Sequence, residues 1–227
     1  MSNPTEQLVQ QIGGTIGAID HAADALQEAR NQAALALEML AGMPIEPLPE
    51  PEPGIVMALY SQNNPEWRDK IYAGGLTFGQ AGCLACSADM IASLAGYTDT
   101  PPEFAAKLRE VGAFSGALLS HPERIPDAYP RLRYDGTINW HNVPADLGIL
   151  QDELSVGPVI IEVDFNPGGA LDQHFVVAEM FSATGGDLVV ADPWTGTRIE
   201  LLRKYGLSNW SLERAVYGLR LLRVAED

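Results

Sequence analysis

Between Val9 and Leu40, apolar side chains recur three and four residues apart. Val9, Ile12, Ile16, Ile19, Ala23, Leu26, Ala33, Leu37 and Leu40 keep a seven-residue repeat, with Arg30 as the one charge in the seam. This spacing predicts one long helix over residues 5–43, and a seam sustained for more than four heptads is that of a coiled coil. Thr5 can cap its start, and Gly42 followed by Pro44 can stop it. Gly13, Gly14 and Gly17 each cost such a helix about 1 kcal/mol. The same stripe can also serve as the inner face of a helix packed on its own chain, so self-association and packing in cis both stand. Residues 44–54 then alternate proline with glutamate or apolar residues, a composition that favours an extended, semi-rigid spacer.

From Ile55 to the end the pattern changes. Cys83–Leu94, Pro102–Val111 and Pro144–Leu154 carry helical periodicity, with Thr100 or Pro101 near the start of the second run. Residues 113–140 read as loop and short elements. Continuous apolar runs follow at Pro158–Val163, Phe175–Met180 and Leu188–Ala191, with one or two more strands over Arg198–Leu202 and Ala215–Val224. Helices first and strands afterwards predict an α+β domain over residues 55–227, built on an antiparallel meander rather than on alternating βαβ units.

Composition narrows the field. The 227 residues carry 14 Lys+Arg against 30 Asp+Glu, a formal net charge of −16. Such an acidic chain is ill suited to nucleic acid or an anionic membrane surface, both of which call for clustered basic residues. The sequence shows no apolar run of membrane-spanning length and no secretory signal at Met1–Gln11, which makes the cytoplasm the default expectation, with a virion-associated setting or signal-less export open. Two cysteines do not make a disulfide framework.

Cys83 follows the glycines of Gly79-Gln80-Ala81-Gly82 and opens a helical run, so its thiol is expected at a helix N-terminus. Unpaired N–H groups and the positive end of the helix dipole there favour the nucleophilic thiolate. Cys86, one turn deeper, is expected to face the core. A nucleophilic cysteine needs a base. His21 lies on the first helix, and His121 and His141 lie in loop-like sequence. His174 opens a strand just after Gly168-Gly169, where a ring is held firmly yet stays reachable. Asp192 ends the next strand, before Pro193, and adjacent antiparallel strands can bring it beside His174 to orient the imidazole. Cys83-x-x-Cys86 also has the spacing of a redox or zinc motif, but no second Cys pair accompanies it and the expected topology is not thioredoxin-like.

Taken in order, these residues resemble the papain-like cysteine peptidases, and within them the group similar to the bacteriocin leader-processing (double-glycine) peptidases. The resemblance rests on Gln62 with Trp67 a few residues on, Gly82-Cys83 followed by small residues and Met90, His174-Phe175-Val176-Val177, and Asp192-Pro193-Trp194-Thr195-Gly196. It spans roughly residues 58–223 and departs from the group at Cys86, where many relatives hold Thr, and at Asn64, where Asp is frequent. It implies Cys83 as nucleophile, His174 as general base and acid, Asp192 as orienter and Gln62 as an oxyanion donor beside the Cys83 backbone N–H. No metal or organic cofactor is implied, and the expected partners are a peptide or amide substrate and further copies of the chain through the first helix. A rival expectation is a catalytically silent domain of the same fold, displayed on an oligomeric stalk for binding or assembly, as in a phage virion or on a cell surface.

Overall fold

The computed structural model describes residues 56–164, 172–183, 186–205 and 210–225. The expected helix over 5–43, with His21, the spacer over 44–54 and the Gly168-Gly169 turn lie outside the described residues. The chain divides into Met1–Pro53 and Gly54–Asp227, and every described residue belongs to the second unit.

This unit opens with a hairpin, β1 (Ile71–Ala73) and β2 (Leu76–Thr77). Its turn is made by Gly74 and Gly75, both at positive φ. Thr77 and Gln80 form a capping box at the start of the short helix α1 (Phe78–Ala81), whose end runs through Gly82 into α2 (Cys83–Leu94). Helix α3 (Pro101–Glu110) is capped by Thr100, whose backbone N–H donates to Glu103 at 2.9 Å. A single turn, α4 (Ile125–Ala128), leads into β3 (Leu132–Asn139). Next come α5 (Leu147–Val156), β4 (Val159–Asp164), β5 (Gln173–Phe181), β6 (Leu188–Asp192) and β7 (Thr197–Glu200). Two single-turn helices, α6 (Leu201–Lys204) and α7 (Leu212–Ala215), precede the last strand, β8 (Val216–Val224).

Strands β3 to β8 form one six-stranded sheet in the order β3-β8-β4-β5-β6-β7, every neighbour antiparallel. The unit is therefore α+β, helices packed on an antiparallel sheet. The topology departs from the expected meander in one respect. Strands β4 to β7 do run in sequence, but β8 returns to lie between β3 and β4. A second correction concerns residues 113–140, read as loop and short elements: Leu132–Asn139 is a full strand. Leu132, Tyr134 and Ile138 alternate with polar residues along it, but only its first residue is buried and Gly136 (φ +131°) interrupts the pattern, as suits an edge strand.

The sheet is covered on both faces. On one, Ile160, Val177, Ala191 and Leu222 meet Met90 and Ile91 of α2 and Phe104 and Leu108 of α3. On the other, Val159, Ile161, Val176 and Val190 meet Leu150 of α5, Leu201 of α6 and Leu212 of α7. Burial on both faces explains why β4 reads as a continuous apolar run, since every one of its six residues is buried. Each wholly buried Leu or Ile in these layers contributes about 2 kcal/mol. Among the described residues, no helix is long and apolar enough to cross a membrane.

Candidate active site

Gly82 sets the start of α2. A Cβ at this position would stand 2.6 Å from the Phe78 carbonyl oxygen, so only glycine lets α1 turn so tightly into α2. The first backbone N–H groups of α2 have no partner within their own helix, and Cys83 is the first helical residue. One turn on, the Ser87 hydroxyl donates to the Phe175 carbonyl at 3.1 Å. That bond fastens the N-terminal half of α2 to β5 next to His174, and Cys83 sits close enough to the His174 ring to favour its charged form.

The far side of the ring is held as firmly. His174 Nε2 lies 3.1 Å from Asp192 Oδ1, with both side chains buried. Asp192 Oδ1 also accepts the Trp194 backbone N–H at 2.8 Å, and the Thr195 hydroxyl donates to Oδ2 at 3.3 Å. Burial disfavours an imidazolium at His174, yet Asp192 and Cys83 outweigh it and raise the pKa to about 9. Burial likewise opposes a charge on Asp192, but His174, the Trp194 N–H and Tyr205 together hold its carboxyl below the usual range. The folded value for His174 lies above its ordinary 6.5. The stability contributed by this interaction is thus complete below about pH 6.5 and is lost as pH rises through about 9.

Gln62 is buried beside this cluster. Its backbone N–H donates to the Pro193 carbonyl at 2.7 Å, tying its loop to the turn after Asp192. Its Nε2 donates to the Gly79 carbonyl at 3.0 Å, while Oε1 has no partner among the described residues. One Nε2 hydrogen is thereby engaged and the second is not. Trp67 supports the loop from below, with its indole N–H on the Ser61 carbonyl at 2.9 Å. Gly196, at φ +70°, closes the Asp192 turn, and a Cβ there would lie 2.9 Å from Ser61 Cβ. Gly196→Ala is therefore expected to cost about 1–3 kcal/mol in urea unfolding, through backbone strain and contact with the Gln62 loop. An unchanged midpoint would show that the loop yields freely.

The structure thus brings Cys83, His174, Asp192 and Gln62 into one neighbourhood. The cysteines differ as their places on α2 suggest. Cys86 is fully buried, and burial, then Asp89, push its thiol well above the ordinary value. Cys83 is partly exposed and opens onto a cavity of about 420 Å³. Both are free thiols.

Three features went unread in the sequence. Tyr205 is near enough to Asp192 to help hold its carboxyl low, its ring 5.9 Å from that of His174. Glu162, wholly buried in β4, receives His141 Nε2 at 2.7 Å, Gln173 Nε2 at 2.7 Å and Arg220 at 3.1 Å. A lone glutamate in the run Val159-Ile160-Ile161-Glu162-Val163 was the available signal, because a buried charge needs partners. Asp89 of α2 is buried with Oδ2 unpartnered among the described residues. Comparison with family models, with curated proteins and with solved structures finds no match for this chain.

Proposed function

We propose that this protein is a cysteine hydrolase acting on a peptide or amide bond, with a papain-like arrangement of its α+β unit. The observation that carries the reading is the chain of contacts from Cys83 through the His174 ring to the buried Asp192 carboxylate. A thiol at a helix N-terminus, beside an imidazole held charged by a carboxylate, suits nucleophilic attack. A solvent-facing Cys83 paired with a sealed Cys86 supports one reactive and one packing cysteine.

In this mechanism the Cys83 thiolate attacks the substrate carbonyl carbon. The oxyanion that forms takes hydrogen bonds from the Cys83 backbone N–H and the second Nε2 hydrogen of Gln62. The C–N bond breaks as the His174 imidazolium gives its proton to the leaving amine. Water then attacks the thioester and gives a proton to His174. The carboxylic acid departs and the thiolate–imidazolium pair is restored. Asp192 orients the ring and stabilises its charge throughout.

The test is brief exposure to iodoacetamide at pH 6, read by tandem mass spectrometry. An ordinary thiol is only about 0.3% thiolate at that pH. We expect Cys83 to be modified at least about 100-fold faster than a free thiol, and Cys86 to stay unmodified unless the protein is unfolded. Labelling of Cys83 at the rate of free cysteine would favour a silent binding module. A reversible Cys83–Cys86 bridge would favour thiol–disulfide exchange instead.

A further inference from the structure

The geometry points to a carboxylate-bearing substrate, anchored by Arg220 in the cavity that opens at Cys83. This deepens the proposed hydrolase reading and rests on it for the word substrate. The cavity, about 420 Å³, has Cys83 and Gln80 in its wall together with Ser120, Gln173, Phe175 and Arg220. Among the described residues that line it, Arg220 is the one permanent charge. The walls are otherwise apolar or neutral, so the cavity pairs an aliphatic and aromatic surface with a single cation. That composition suits a ligand with a short carbon stem ending in an anion.

The guanidinium is placed for this rather than free to wander. It lies over the Phe175 ring, 5.2 Å from its centre, and its side chain is only 15% exposed. One terminal nitrogen donates to the Leu219 carbonyl and the other to Glu162. Nε has no acceptor among the described residues. A planar fork fixed in this way meets a carboxylate with little further loss of freedom. The bland account makes Arg220 a counterion for buried Glu162 alone. However, Glu162 Oε1 already takes donors from His141 and Gln173, both at 2.7 Å, whereas Arg220 reaches the other oxygen at 3.1 Å. An interaction of that length does not by itself account for Arg220 also lining the cavity. The full sequence carries a formal net charge of −16, so a cation lining this cavity runs against the overall sign of the chain.

A carboxylate could come from an acidic side chain or from the C-terminus of a peptide. Three alkylating probes separate them: N-iodoacetyl-glycine with a terminal carboxylate, N-iodoacetyl-glutamic acid α-amide with a side-chain carboxylate, and the neutral N-iodoacetyl-glutamine α-amide. Rates of Cys83 modification are measured at pH 8.5 and low salt, where an accessible thiol reacts whether or not it is activated. At least one anionic probe should react about five- to tenfold faster than the neutral one, and the faster of the two names the source. Arg220→Gln should remove that preference or reverse it, while Arg220→Lys should retain part of it. Equal or slower labelling by both anions in the native protein would overturn the proposal, even if iodoacetamide at pH 6 shows Cys83 to be activated. Conversely, an Arg220-dependent preference at pH 8.5 with sluggish labelling at pH 6 would keep the anion site and remove the hydrolase.

Discussion

The His174→Ala variant is expected to lose about 100-fold or more in the rate of Cys83 alkylation at pH 6. At pH 9.5 the loss should shrink to a few-fold. The asymmetry comes from the pair. With His174 held near pKa 9, an imidazolium stands beside the sulfur across the neutral range and favours its anion. Without the ring that support for the anion is gone, and ordinary thiols are almost wholly protonated at pH 6. Above about pH 9 the ring itself loses its charge, so the advantage of the native protein shrinks. Asp192→Asn should fall between the two, because the ring keeps its place but loses the charge that supports it. In an NMR titration the His174 ring should show a midpoint near 9 in the native protein, and a lower one in Cys83→Ala. With a substrate in hand, Cys83→Ala should abolish turnover, a loss of about 10⁶-fold in enzymes of this mechanistic type. A flat, equal reduction of alkylation at both pH values would mean that His174 merely supports the local fold.

Asp89→Asn is expected to stabilise the protein, and more so as pH rises. Asp89 lies on α2 one and a half turns beyond Cys83, and it is buried with one oxygen unsatisfied among the described residues. Burial, reinforced by Asp99 and Glu103 and only partly offset by Lys107, raises its pKa from 3.8 to about 9. Folding therefore forces it to stay protonated, whereas the unfolded chain releases the proton near pH 4. The relative stability of the native state is greatest below about 3.8, and it is lost as pH climbs towards about 9. Asparagine mimics the neutral acid and removes the penalty. In urea unfolding, the gap between variant and native protein should widen by on the order of 1 kcal/mol per pH unit between pH 5 and 8. Parallel stability curves across that range would show that Asp89 reaches solvent or a partner. Asp99, by contrast, accepts Lys107 at 2.6 Å and Tyr129 at 2.7 Å, and these partners override its desolvation and hold its carboxyl low. Two carboxyls in one neighbourhood are thus driven apart by whether a donor reaches them.

Local patterns carried part of the fold. Helix α2 begins and ends at Cys83 and Leu94, as its periodicity and preceding glycines indicate. Helix α3 starts at Pro101 after the Thr100 cap. Strands β4, β5 and β6 coincide with the apolar runs to within two residues at either end. Helix α5 begins at Leu147, three residues later than its apolar pattern suggests, because the Asp146 carboxylate accepts the Gly148 N–H at 2.9 Å and so sets the start. Strand β3 does carry a period-two pattern, Leu132, Tyr134 and Ile138 alternating with polar residues, but Gly136 breaks it mid-strand and the residues before it read as loop. The insertion of β8 between β3 and β4 was equally hidden, since no local run of residues encodes which strand will be its neighbour.

The site divides along the same line. Chemistry and order were visible in the chain itself: a cysteine after glycine, a histidine opening one strand, an aspartate closing the next. These depend on near neighbours and on backbone conformations that short stretches specify. What the histidine touches, and how far its proton affinity moves, came only with the packing of α2 across β5 and the pairing of β5 with β6. So did Tyr205 against Asp192, the donors that satisfy Glu162, and the cation above Phe175. Each joins residues that are distant in the chain. Their energies depend on distance and on exclusion of water, and both exist only once the layers have closed.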